Sequence, residues 1–181
     1  MSNDKDKARL IDLMGKVLMM VSDGKRDART VADWLQKLVN ERSFVPATFM
    51  DKGWSYEGER DARSAAIGLL DNYSKVKFST SWLKGGVRVS GKVRRCRILE
   101  DRFFVPLNCD HFFDLWNNKE KIPEEWKTVK GMITFDGDVL RDSVGGHFVM
   151  CLKWNSGEWI WSCDWLNNLW SVDDPSAGLE I

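Results

Sequence analysis

The stretch HFVMCLKWNSGEWIWSCDW, residues 147–165, decides the fold. Ser156-Gly157 suits a two-residue β-turn in which Gly takes positive φ. With that pair as the tip, Trp154 faces Trp159, Leu152 faces Trp161, Met150 faces Cys163 and Phe148 faces Trp165. One face of the hairpin is then wholly apolar. The other pairs Lys153 with Ile160, Cys151 with Ser162 and Val149 with Asp164, with His147 at its end. A slip of one residue would scramble the two faces, so the register is strongly specified.

Working outward, residues 132–140 read as a further strand. Residues 76–80, 87–90, 93–99 and 102–105 are short β-branched or aromatic runs between Gly or Asp turns, the pattern of an antiparallel sheet. Residues 108–117 return to helix, followed by Pro123. Residues 61–73 carry Ala65, Ala66, Leu69 and Leu70 and predict a short helix. Residues 43–58 hold Pro46, Gly53 and Gly58 and read as a connecting loop.

In front of this lies a helical pattern over residues 5–42. Leu10, Leu13, Met14, Val17, Leu18 and Val21 form one apolar stripe, and Val31, Trp34, Leu35 and Leu38 form another. Asp23-Gly24 suits a helix end and Asp27 an N-cap, so the expectation is a helical hairpin. The fold class expected is therefore α+β: an N-terminal helical hairpin over residues 1–45, then a mainly antiparallel, Trp-rich β-sheet with a short packed helix over residues 46–181.

Composition narrows the function classes. The 181 residues carry 27 basic and 27 acidic side chains, so no global excess of positive charge marks a duplex-DNA binder. The first residues do not read as a signal peptide, and no apolar run reaches the length of a membrane helix. Cys96, Cys109, Cys151 and Cys163 are widely spaced and are expected as free thiols, which points to a cytoplasmic location and no membrane partner. Ten tryptophans stand out, seven of them from Trp116 onward. Such a cluster is either an aromatic core or a binding face.

Residues 122–127 (IPEEWK), 148–154 (FVMCLKW), Gly157-Glu158-Trp159 and Trp165-Leu166 resemble the C-terminal segment of a group of candidate-phylum bacterial proteins. Residues 21–39, with Asp23-Gly24-Lys25-Arg26-Asp27, are similar to the helical leader of the same group. The resemblance covers about half the chain and leaves out residues 43–109. No established activity attaches to that group, so it implies a fold pattern and no functional residue.

The candidate chemistry is thin. Cys109-Asp110-His111 and His147 with Cys151 have spacings of metal ligands, but positions two apart on a helix diverge, and His147 and Cys151 would sit roughly 13 Å apart on a strand. No metal and no cofactor are expected. His147 with Asp164 is a candidate dyad, and a Cys/His-dependent enzyme ranks third among the readings. The runner-up is a protein that associates with RNA or single-stranded DNA through a basic β-hairpin over residues 84–97. Lys84, Arg88, Lys92, Arg94, Arg95 and Arg97 lie there with no acid among them, beside Trp82. The acidic run 155–181, which includes Asp173 and Asp174, is an alternative partner for those cations. The reading placed first is a non-enzymatic binding or adaptor protein that engages a protein partner or a second copy through the helical hairpin. Trp34 and Trp170 are its candidate contacts, with Trp170 expected to be exposed.

Overall fold

The structure, a computed structural model, describes residues 12, 15–24, 27–31, 43–58 and 60–181. The chain divides into two units, Met1–Ser43 and Phe44–Ile181. In the first, residues 15–22 are helical and end at Gly24, whose φ of +67° suits a residue without Cβ. Asp27 caps the next helical stretch, its carboxylate accepting the Thr30 N–H at 2.9 Å. Leu10, Leu13, Met14, Trp34, Leu35 and Leu38 lie outside the described residues, and the hairpin arrangement lies outside them too.

The second unit is mixed α+β. Its elements, in chain order, are α1 (Pro46–Phe49), β1 (Ser55–Tyr56), α2 (Ala62–Ile67), β2 (Lys77–Ser79), β3 (Val89–Ser90), α3 (Gly91–Glu100), β4 (Phe104–Pro106), α4 (Cys109–Asn117), β5 (Ile133–Arg141), β6 (His147–Asn155), β7 (Glu158–Trp165), β8 (Leu169–Trp170) and β9 (Ser176–Glu180). The main sheet runs β2-β9-β5-β6-β7, with β1 added to β5 and β4 to β9; β3 and β8 form a separate ribbon. All pairings are antiparallel except the single parallel contact Thr134–Ser176 between β5 and β9. No helix among the described residues is long and apolar enough to cross a membrane.

The β6–β7 register is the one the turn specified: Phe148–Trp165, Met150–Cys163, Leu152–Trp161 and Trp154–Trp159 face each other. Ser156 and Gly157 both take positive φ, +50° and +92°, as a twisted two-residue turn requires. Alternation then divides the core. Met150 and Leu152 pack with Phe112, Leu115, Trp126, Ile133 and Phe135 on the α4 side. Val149 and Cys151 point the other way, against Trp82, Ile98, Leu166 and Trp170. The second face is thus a core of its own, which is why residues 149–152 are buried without interruption.

Three expectations are corrected. The stretch 93–99 is helix α3, not a strand, so residues 84–97 form no β-hairpin. Ser90 caps α3 through the Val93 N–H, and Gly91, Arg94 and Ile98 make its buried stripe at helical spacing. A Cβ at Gly91 would press on Trp170 and the Leu166 backbone, so a glycine lets the helix start against β8. The acidic run 155–181, offered as a partner for the basic segment, ends in a strand to which the sequence assigned no element: β9 lies inside the sheet, between β2 on one edge and β4 and β5 on the other. Gly178 sits where any Cβ would collide with the Phe104 ring and the Val105 carbonyl. Finally, the predicted loop 43–58 contains α1 and β1, and the predicted helix 61–73 shortens to α2 with a 3₁₀ turn at Tyr73–Lys75.

Candidate functional site

Trp82, Arg94 and Trp170 were drawn by the sequence into two different candidate sites. The structure brings them together. The Arg94 guanidinium lies 4.9 Å from the Trp82 ring centre and 4.7 Å from that of Trp170, between two indoles. Indole faces are negative and attract a cation, more strongly out of water. Arg94 also forms a bidentate pair with Asp136 on β5 and reaches the Thr134 hydroxyl. The Ser176 hydroxyl donates to the second Asp136 oxygen at 2.7 Å. Arg94 and Asp136 side chains are fully buried. Trp170, expected exposed, is 1% exposed, because β8 pairs with β3 and turns its indole inward.

The other cations of that segment separate. Arg97 donates to the Trp82 carbonyl at 2.7 Å and ties α3 to the turn at 81–83. Arg95 is half-buried, whereas Lys84, Arg88 and Lys92 are exposed. Lys84, Lys92 and Arg97 share a shallow 340 Å³ depression with Cys96 and Glu100. On α3, then, Arg94 and Lys92 do not present one cationic face.

A second buried acid sits two residues along β5. The strand departs from β6 between Phe135 and Leu140, and Gly137 bonds instead to Leu107 and Asp61. A side chain at Gly137 would fall on the Ser64 hydroxyl, so this crossing needs glycine. Asp138 is thereby turned inward and accepts Arg60 Nε and Nη2, both at 2.9 Å, and the Cys109 N–H at 3.0 Å. Arg60 also reaches Asp110 at 2.8 Å and stacks 4.8 Å over Tyr56. Partial burial opposes the Arg60 charge, but hydrogen bonds to Asp138 and Asp110 outweigh it and raise its pKa. None of Asp136, Asp138, Arg60 or Asp110 was singled out from sequence. The signal was the Asp-Gly-Asp run inside a strand, where an acid is rare unless paired.

The candidate catalytic groups do not meet. Burial pushes the Cys109 and Cys151 thiols well above their ordinary range. His111 is buried within the capping box of α4, where its ring approaches Asn108 and the Gly68 carbonyl. His147 stands 3.5 Å from Glu57, while Asp164 accepts Asn168 Nδ2 at 2.5 Å.

What is left open is the outer edge of β7. Antiparallel residues alternate between bonding inward to their neighbour and facing out. Leu166 N–H donates to the His147 carbonyl at 2.8 Å, which makes 147 and 166 an inward-bonded pair. Counting in twos along the register, Trp159, Trp161, Cys163 and Trp165 face outward. Trp165 is locally satisfied, through Asp164 Oδ1 and the Asn168 N–H. The N–H and C=O groups of Trp159, Trp161 and Cys163 find no backbone partner among the described residues.

No family model, curated protein or solved structure matches this chain. The functional reading therefore rests on this geometry alone.

Around that edge the side chains are aromatic. Trp161 packs 4.8 Å from Phe49 and 6.5 Å from Trp116, ring centre to ring centre. Lys119 lies 3.9 Å over Trp116 and Lys127 4.4 Å over Trp154. On the opposite face Ile160 is 37% exposed, and at the end of the strand Trp165 is 43% exposed.

Proposed function

We propose that this chain is a non-enzymatic binding protein that takes an extended segment of a protein partner as an added strand on β7. One observation carries the reading: three successive outward-facing residues of an eight-residue edge strand have no backbone partner among the described residues, beside exposed aromatic surface. An edge of this kind is a template for another strand, and soluble proteins usually blunt it with lysine, proline or a bulge. β7 contains none of the three, and its charged residues, Glu158 and Asp164, lie toward the two ends of the strand, outside the three open positions. Main-chain bonds would supply affinity, and the side-chain positions beside Trp161 would supply selectivity. The helical unit at Met1–Ser43 remains a candidate contact for the same or another partner. Association with RNA or single-stranded DNA is the weaker reading, because the segment that suggested it has Trp82 and Arg94 sealed inside.

Amide hydrogen exchange tests the proposal. In the free protein the Trp159, Trp161 and Cys163 amides should exchange fast and those of Ile160, Ser162 and Asp164 slowly. A seven-residue peptide of alternating valine and threonine should slow the first set and leave the second unchanged. Cys163→Pro removes an outward donor while sparing the β6 ladder, and should abolish that protection. Protection that appears elsewhere, or survives Cys163→Pro in a folded protein, overturns the reading.

A further inference from the structure

We infer that the segment β7 accepts carries a basic residue at each end of its apolar stretch, and that a second copy of β7 is not the occupant. The inference rests on the strand-addition reading and names its partner. An antiparallel strand that uses all three open residues must bond Trp159, Trp161 and Cys163 from outside, so its central residue sits opposite Trp161. Its first and last residues then lie opposite Glu158 and Asp164, six positions apart.

Both of those ends are acidic, and no base lies anywhere in residues 155–181. Glu158 is exposed, and Asp164 is half-buried with its carboxylate held by Asn168 and the Trp165 N–H. In a two-fold pairing of β7 with itself, this register sets Glu158 against Asp164 of the second copy, twice. Directly opposed like charges destabilise a strand pair. Sliding the copies by two residues toward Trp165 relieves the clash but makes Trp165 replace Trp159 or Cys163 as a partner. Its backbone groups are already taken. Self-pairing is thus penalised in the register that satisfies the edge.

The face of each incoming side chain follows from the pleat. Residues opposite Trp159, Trp161 and Cys163 project to the side of Phe49 and Trp116, which suits apolar groups. Residues opposite Glu158, Ile160, Ser162 and Asp164 project to the other side. The chemistry that fits is a seven-residue extended segment reading cation, apolar, any, apolar, any, apolar, cation.

Three peptides separate the cases: alternating valine and threonine ended by lysine, by glutamine or by glutamate. Fluorescence anisotropy of the labelled peptides should rank lysine over glutamine by roughly fivefold, and glutamine over glutamate by a similar step. Glu158→Gln combined with Asp164→Asn should erase the ranking while keeping the binding of the glutamine peptide. High salt should compress the ranking as well, because exposed charges are screened. Equal binding of all three overturns the inference and leaves strand addition standing. No peptide binding, together with a dimer in sedimentation that slows exchange at Trp159, Trp161 and Cys163, makes the second copy the occupant and overturns it. No peptide binding by a monomer removes the strand-addition reading as well.

Discussion

Two tryptophan groups in this chain have opposite surroundings. Trp82 and Trp170 close around the Arg94 guanidinium, and every oxygen of Asp136 in that cluster is bonded. Trp161 and Trp165 stand half-buried and exposed on a strand whose outward backbone has few partners among the described residues, while Trp159 on the same strand turns its indole into the main core. The same residue type therefore serves a sealed core in one place and an open edge in the other. What separates them is the third dimension of the sheet. The 169–170 strand is folded back onto α3, whereas among the described residues no strand pairs with the outer side of β7. A tryptophan count alone does not tell a binding face from a core; the fate of the neighbouring backbone bonds does.

The sealed cluster should show the largest effects. Removing one partner of a buried, hydrogen-bonded ion pair typically costs about 3–5 kcal/mol, since the other charge is left buried alone. Arg94→Ala should lower the urea midpoint by that order or prevent folding. Arg94→Met combined with Asp136→Leu should recover much of the loss, because an apolar pair of similar volume needs no compensation. If the single and double variants are equally unstable, the pair is not what makes Arg94 indispensable.

The comparison sharpens between two indoles. Trp170→Ala opens a cavity in a fully buried site and should cost about 3–5 kcal/mol. Trp161→Ala removes a partly buried ring at the edge and should cost about 1–2 kcal/mol, in proportion to the smaller area withdrawn from water. Thermal unfolding of the two variants checks the order. A reversal would mean that β7 is covered in solution and Trp170 is not.

The sequence pointed to Trp170 as an exposed ring, and the reason it is buried instead is instructive. The hairpin was legible because its information is local: period-two alternation around Ser156-Gly157 fixes the faces and the pairing without reference to the rest of the chain. The helix at 109–117 was legible for the same reason, with Asn108 as its cap. By contrast α3 depends on Asp136, 42 residues away, to bury Arg94. Read alone, an arginine-rich run with Val93 and Ile98 looks like an exposed strand. β9 was illegible because its Ser-Ala-Gly run has weak strand propensity, and those small residues are there so that Phe104 and β5 can approach. The candidate-site residues Trp82, Arg94 and Trp170 were visible as unusual, but their common destination was not, since it needs the acids of β5. The open edge escaped notice because it is a property of what fails to pair.

The smallest effects belong to two thiols that sit on either side of the same contrast. Cys151 lies in the sealed cluster and Cys163 on the open strand, where it is half-buried. Burial raises the Cys163 pKa, and it raises that of Cys151 well above the ordinary thiol range. The unfolded chain gives up its thiol protons near a pKa of about 8.5, while the folded chain holds the Cys151 proton to higher pH. Above that pH the unfolded state binds fewer protons than the folded one, so stability is complete below about pH 8.5 and declines as pH rises toward the folded value. Each such thiol contributes a slope of about 1.4 kcal/mol per pH unit in that window. Cys109, buried in the other core, adds a similar decline. Denaturant unfolding between pH 8 and 9.5 should show the loss, and Cys151→Ala should make it shallower by roughly 1 kcal/mol over the last unit. In a Cys96→Ser background, which removes the exposed thiol, a disulfide reagent should label Cys163 well before Cys151. Access to Cys163 needs only motion at the edge, whereas access to Cys151 requires the Trp82–Arg94–Trp170 cluster to open. Equal labelling rates for the two would show that this cluster opens as readily as the edge, and the contrast between sealed and open tryptophans would fail.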